Sequence, residues 1–482
     1  MSEYLHGIDH EEKDAINLTI SDADTSAIAV IGTKPTYLLE TNNMIEKVTN
    51  FAESAKYCGN NIDGFTLPDA CETILTESGG ADIYTINIFD YEKHSANVDK
   101  SITFANGICE LKETGIQNLT VKKGENPLTE GEDYSFENNI ITILPGGQLE
   151  TSQDDTSAAY DYVDLTKITD ADIIGSTDAN DSRTGIQAIW DIISTYGIIP
   201  GIIIAPGFSS KNVRTALESI AEEIKSFAYT DIPEDTALTV LEKARLNPQE
   251  VGEKTIDLTT SSEFSMMCEP YLYRYNSYQN TDSYKPASPV VAGLRVKMDR
   301  EKTVAKSIDN TLTKTTKGRK FNRSFLLGSS STDSNRINKL GITTTINYKG
   351  NYYIWGARNS SFPTNSGLRT FEAARRTTNF IEHSIEDSTF VCIGGKITRG
   401  YIDDILNAIN SKFASWSNPS DPDKQILLGG EAYYDETLNT ADTLANGHIY
   451  FPYKYCMPSV GEHITFQGIL DITIMTESLA DN

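Results

Sequence analysis

Apolar residues recur along this chain with two periods, and the alternation between them outlines its elements. Ile16, Leu18 and Ile20 alternate with polar neighbours behind a charged leader, the period of a strand. "TSAIAVIGTKP" (residues 25–35) reads as a buried strand closed by Gly32 and Pro35. "NNMIEKVTNFAESAKYCG" has a helical period, with Gly59 as its stop. The next stretch predicts a helix with Thr66 as N-cap, Pro68 in the first turn and Gly79-Gly80 at its end. Tyr84, Ile86 and Ile88 then share one face of a strand.

Between about 100 and 165 the helical period disappears. Short alternating runs such as "NLTVKK" and "NNIITILP" lie between Gly, Pro and Asn, which predicts an inserted β module. Beyond it, strand and helix alternate. "SRTGIQAIWDIISTYG" places Ile186, Ile189, Trp190 and Ile193 on one helical stripe. "IIPGIIIAPG" is nearly all apolar, as a strand covered on both faces must be. "SSKNVRTALESIAEEIKSF" predicts a helix capped by Ser209 or Ser210, and "PVVAGLRVKMDREKTVAKSI" a strand leading into a helix. "NYYIWGARN" reads as a strand, followed by helices over "LRTFEAARRTTNFIEHSIED" and "YIDDILNAINSKFASW" and a strand in "ANGHIYFPYKYCMP".

The expected fold class is therefore α/β and α+β, multidomain, with a central partly parallel sheet flanked by helices. The division expected is an N-terminal arm (1–26), the first part of the core (27–98), the β module (99–180), a central α/β domain (181–345), a C-terminal α+β domain (346–461) and a C-terminal strand arm (462–482). That last arm holds "ITFQGILDITIM", in which Ile464, Phe466, Leu470, Ile472 and Ile474 alternate around a slip at Gln467-Gly468. The slip suggests a bulge, so two short strands rather than one. No return strand follows, and an unpaired apolar strand invites pairing with another chain.

Length and composition add bounds. At 482 residues the chain exceeds one core, and 39% hydrophobic with 23% charged residues is the composition of an ordinary folded protein. No N-terminal stretch joins basic residues to an apolar run, so no signal peptide is expected, and the protein reads as soluble and made inside the cell. The most apolar segment, residues 197–207, is too short for a bilayer and is broken by Pro200 and Pro206, so no membrane insertion is expected. The six cysteines have no CxxC spacing; free thiols and no zinc are expected. The net charge is −27, but residues 285–376 hold 18 Lys and Arg against 5 Asp and Glu. Such a dipolar chain attracts copies of itself or a partner of defined sign. Arg319, Lys320, Arg323, Arg375 and Arg376 are the candidate charge contacts. "TKTTKGRKFNRS" lacks the aromatic interleaving of a nucleic-acid module, so no direct nucleic-acid contact is expected; it reads as a mobile loop or a contact segment.

Catalytic motifs are absent: there is no GxxxxGK[ST], GxGxxG after a strand, HExxH or GxSxG. His6, Asp9 and His10 have a spacing that suits a metal, but Gly7 and the terminal position favour a leader without one. Glu431, Asp435 and Glu436 are the acidic group that an enzyme reading, a carbohydrate-active one, would need; a solvated turn is the plainer account. No catalytic, cofactor-binding or metal residues are assigned.

The chain resembles the contractile-tail sheath proteins of phages and phage-tail-like bacteriocins. "LHGI" and "AVIGTKP" near the N-terminus resemble that family's leader and "GTAP"-like turn, with Lys34 in place of alanine. "EGEDY" resembles a turn of its β module, "WGAR" (Trp355 to Arg358) and "RRTTNFIEHSI" stand almost as the family writes them, and "GHIYFPYKYCMPSVGEHITFQGILDITI" completes it. "CIGGK" at Cys392 to Lys396 departs from the pattern.

The resemblance implies a protomer that polymerises as a helical tube around an inner tail tube, assembles in an extended metastable state and contracts to drive the tube through a cell envelope. It implies no cofactor. Its implied partners are further copies of itself, the inner tube protein, and baseplate and tail-terminator proteins. The implied location is a virion tail or tail-like particle assembled in the host bacterial cytoplasm. A non-contractile self-assembling surface or filament protein is the alternative. On the residues alone, the terminal run and the alternation at Ile16, Leu18 and Ile20 are expected to be strands donated to neighbouring copies. The C-terminal domain is expected to face the tube, and the β module outward.

Overall fold

The computed structural model describes residues 18–40 and 43–475. Its centre is a nine-stranded mixed sheet assembled from distant parts of the chain. The strands are β1 (Ile28–Gly32), β2 (Ile45–Val48), β3 (Ile83–Asn87), β4 (Ile202–Ile204), β5 (Phe227–Asp231), β6 (Ser265–Cys268), β7 (Thr311–Leu312), β8 (Ile342–Tyr348) and β9 (Asn351–Trp355). Their order across the sheet is β7-β9-β8-β6-β5-β4-β1-β3-β2. The six inner strands, β8 to β3, run parallel, and β2, β9 and β7 pair antiparallel at the two margins.

Both faces of the parallel strands are covered, which is why their sequences are uninterrupted apolar runs. Ile28 and Val30 of β1, with Ile202 and Ile204 of β4, pack into one cluster with α1 (Thr66–Ser78) and a second helix at Ser288–Glu301. Ala29, Ile31 and Ile203 point the other way, against α2 (Ile189–Tyr196) and α3 (Lys211–Glu223). The helix over Ser288–Glu301 is α4, and it replaces the expected strand-then-helix. Its first nine residues are buried on every side, so no polar face marks its period. Ile45–Val48 is likewise a strand where the pattern predicts helix, and the helix begins only at Phe51. Phe65 precedes α1, and Thr66 instead accepts a hydrogen bond from the Thr33 N–H at 3.1 Å. Ser210 caps α3 by accepting from Val213 N at 3.2 Å, and Gly79 (φ 76°) ends α1.

At the α1–α4 crossing, a Cβ on Gly293 would stand 2.8 Å from Cβ of Glu77 and 3.1 Å from Cα of Ile74. Both are held by helix backbone, so neither yields cheaply. Gly293→Ala is expected to lower stability by about 1–3 kcal/mol despite alanine's better helix propensity, read by chemical denaturation; a stabilised variant would disprove the close packing.

Residues 95–163 form two small antiparallel sheets, Ser95–Ser101 with Thr156–Val163 and Gln117–Lys123 in one, and Ile108–Glu110, Tyr134–Glu137 and Ile140–Ile143 in the other. They enclose their own core around Val121, Tyr134, Ile141 and Tyr160. The chain enters and leaves this body side by side: Ser95 pairs with Val163, and the Asp164 N–H donates to the His94 carbonyl at 2.9 Å. The basic segment expected to be a loop contributes a strand, Thr316–Arg319, to a small sheet with Leu272–Asn276 and Thr281–Lys285. The expected boundary between 345 and 346 falls inside the β8–β9 hairpin, so the last strand of the sheet comes from beyond it.

The remaining domain packs α5 (Glu372–Thr389) and α6 (Arg399–Ser417) around Phe380, Ile381, Ile405, Ile409, Phe413 and Trp416. Against them lies a two-stranded ribbon of β10 (Gly429–Ala432) and β11 (Tyr453–Cys456). Among the described residues, no helix is long and apolar enough to cross a membrane.

Candidate assembly interface

The C-terminal run leaves the protomer without a partner strand. Residues 461–475 are all exposed, Phe466 by 90% and Leu470 by 91%. Ile464, Ile472 and Ile474 are exposed with them, and Ile469 and Met475, absent from the alternation, add to the apolar surface. Within the isolated chain the expected strand is not formed. At its far end Asp471 accepts from the N–H and hydroxyl of Thr473, at 2.9 and 2.6 Å, and Thr473 to Met475 turn into helix, Ile474 included.

The N-terminal segment behaves in the opposite way. Ile16 lies outside the described residues, as do His6, Asp9 and His10. Ile20 is only 2% exposed and sits in the α5–α6 core, with Leu18 packed beside it. Ser21 and Ala23 donate their backbone N–H groups to Ser388 and Ser384 of α5, at 2.8 and 3.0 Å. Asp22 accepts from Trp416 Nε1 at 2.9 Å and pairs with Lys412 at 3.0 Å. Leu18 and Ile20 are therefore not strand residues open to a neighbour, because burial in their own core has claimed them.

The ribbon is a two-stranded sheet with open edges beside the exit of the C-terminal run. Gly429 pairs with Cys456 and Ala432 with Tyr453, and neither outer edge has a strand partner among the described residues. Asn410 of α6 both donates to and accepts from the backbone of Ala432, at 2.9 and 2.7 Å, which blunts one end of β10 and leaves the rest. A two-stranded ribbon is marginal by itself, and its unpaired N–H and C=O groups are a template for further strands. No sequence signal marks β10, which is "GGEA".

The candidate charge contacts are largely spent inside the chain. Arg376 is 2% exposed; it pairs with Asp299 at 2.5 Å and donates to the carbonyls of Gly201 and Thr25. Arg295 and Glu372, both fully buried, complete this network, and the Tyr229 hydroxyl donates to Glu372 at 2.7 Å. Burial works against the charge on Arg295, but Asp299, Glu372 and Tyr229 outweigh it and hold its pKa above the usual arginine value. The network binds α4 of the central body to α5 and to the N-terminal segment. Arg323 pairs with buried Glu269 at 3.1 Å, and burial still raises the Glu269 carboxyl above its ordinary range. Arg319 donates to the Thr345 carbonyl at 2.5 Å, and burial lowers its pKa. Arg375 lies over the Phe264 ring at 4.7 Å and pairs loosely with Glu263 at 3.7 Å. Lys320 spans Glu234 and Asp235 at the surface, at 3.2 and 3.3 Å. A buried cation needs a nearby anion or several acceptors, so three of these arginines are folding residues, a distinction that net charge along the sequence does not carry.

All six cysteines are free thiols. Among the described residues, no three His, Cys, Asp or Glu side chains are placed to hold a metal ion. Glu431 pairs with Lys454 across the ribbon at 3.0 Å, and Asp435 accepts from Thr437 in a turn.

No family model matches the chain. It is 30% identical over 473 residues to the tail sheath protein of Burkholderia phage BcepMu, covering 96% of both chains. It is 26% identical over 297 residues to the tail sheath protein of Escherichia phage P2, covering 62% of this chain and 70% of that one. Its fold is similar to the sheath of an extracellular contractile injection system (PVC) solved in the contracted state, with a TM-score of 0.57 at 14% identity over 98% of this chain and 99% of that one. It is similar also to the contracted helical sheath of the anti-feeding prophage, with a TM-score of 0.56 at 13% identity over 98% and 100% of the two chains. With near-complete coverage of a phage sheath protein at this identity, the chain belongs to the contractile tail sheath family and is a structural sheath protomer, not an enzyme.

Proposed function

We propose that copies of this chain polymerise into a helical tube by exchanging arms, and that the tube contracts around an inner tail tube. The observation that carries the reading is the pairing of opposites within one domain: an exposed apolar arm, residues 464–475, and an open-edged ribbon, β10–β11. An arm laid along a neighbour's ribbon supplies the missing backbone partners and covers alternate side chains. Because the contact joins different surfaces on the two copies, it is head-to-tail and propagates as a filament. Residues before Leu18 supply the second arm, anchored at Ile20. The ribbon-bearing domain faces the inner tube protein, the module of residues 95–163 faces outward, and baseplate and tail-terminator proteins cap the two ends. Assembly takes place in the cytoplasm of a host bacterium. The storage of energy in the lattice calls for no nucleotide.

Purified protein, concentrated and viewed by negative stain, is expected to form long hollow tubes; monomers or small closed rings would overturn helical assembly. Electrostatic contacts between copies then rest on exposed cations such as Lys396, not on Arg323 or Arg376. Screening weakens such surface contacts, so the conditions that trigger contraction are expected to shift between low and high salt. An unchanged threshold would remove charge from the account.

A further inference from the structure

We propose that Arg358, the arginine of "WGAR", is a bracket that fixes the direction in which the C-terminal arm leaves the protomer; this rests on the arm-exchange reading above. Arg358 follows β9 and forms an antiparallel bridge with Phe371 at the head of α5. Its guanidinium lies 3.8 Å from the centroid of the Phe371 ring and 4.8 Å from that of Phe362. It also donates to the Thr370 hydroxyl. The fork is thus set by the body of the protein before the arm reaches it. Its remaining donors, Nε and Nη2, both reach Glu462, at 3.1 and 2.5 Å.

Glu462 is where the arm separates from the body. Met457 is buried in the α5–α6 cluster, Val460 packs against it, and the Glu462 N–H donates to the Val460 carbonyl at 3.0 Å. From His463 onward every described residue is exposed, and the apolar run starts at Ile464. A paired Arg–carboxylate contact fixes geometry as well as attraction. At this exposure it adds little to folding stability. Its effect falls instead on the angle of the tether, two residues before the segment that a neighbour must catch. An arm held at one exit angle spends less conformational freedom on docking.

The test uses the full chain carrying Glu462→Gln, with deletion of residues 464–482 as its comparison. The substitution is expected to leave the thermal unfolding of the monomer unchanged, because Glu462 is exposed and Arg358 keeps its contacts with Phe371, Phe362 and Thr370. The methyl resonance of Ile464 in the monomer is expected to sharpen, a change that a purely structural contact elsewhere would not produce. The concentration needed for tube formation is expected to rise at least several-fold, and Arg358→Lys, which keeps the charge and loses the fork, is expected to act in the same direction. If Glu462→Gln matches the parent in both the Ile464 linewidth and the assembly threshold while the deletion abolishes tubes, the bracket is wrong and arm exchange stands. If the deletion itself still forms tubes, arm exchange falls and the bracket with it.

Discussion

Deleting residues 464–482 is expected to leave a folded monomer, with its thermal transition intact, that forms no tubes at any accessible concentration. The arm contributes nothing to the core of its own chain, since residues 464–475 are exposed throughout. Its apolar side chains acquire value only against another copy. Burying a phenylalanine exposed as fully as Phe466 is worth about 2 kcal/mol, so Phe466→Ala alone is expected to raise the critical concentration for assembly roughly 30-fold. Sedimentation of assembled material across a concentration series reads both effects. Tubes that form from the truncated chain at the parent's threshold would show that the lattice is held by other surfaces.

The second large effect belongs to the buried network, and it is a loss of folding. Arg376→Met leaves Asp299 and Glu372 buried with one cation fewer, and removing one partner of a buried pair costs about 3–5 kcal/mol. The carbonyls of Thr25 and Gly201 lose their donor in the same step. Urea denaturation measures the difference. Arg399, 85% exposed and paired with Asp403 on α6, is the comparison: Arg399→Met is expected to change stability by no more than about 0.5 kcal/mol. A loss below about 1 kcal/mol for Arg376→Met would mean that the network is hydrated and loosely held.

Much of this fold can be read from the residues alone, and the failures share a cause. The strands and helices of the central layers show because each has one period and a start or stop signal, as at Ser210 and Gly79. The helix at Ser288–Glu301 hides because both of its sides are buried, which erases the polar stripe that distinguishes it from a strand. The arm at Ile464 is legible because its apolar residues alternate as those of a strand do. The ribbon proposed to receive it is legible only by half: "YKYC" falls in an expected strand, whereas "GGEA" has no strand signal. Ile20 reads as half of a strand, yet its partners lie on helices some 360 to 400 residues away. The charge excess between 285 and 376 misleads for the same reason. Arg323 answers Glu269, which lies outside that stretch, and Arg376 answers Asp299, 77 residues away within it; a count along the chain does not see which cation is spent on which acid.

The body formed by residues 95–163 hangs from the core by two adjacent crossings of the backbone, and it closes around its own interior. Its interior is separate from that of the core, and its contacts back to the core lie close to the crossings, as where the Tyr91 hydroxyl donates to the Gly115 carbonyl at 2.8 Å. A domain of another shape that enters beside its own exit is expected to fit between His94 and Asp164 and to leave the register of the central sheet unchanged. The same slot is then expected to carry a displayed cargo while the arms and ribbon stay fixed.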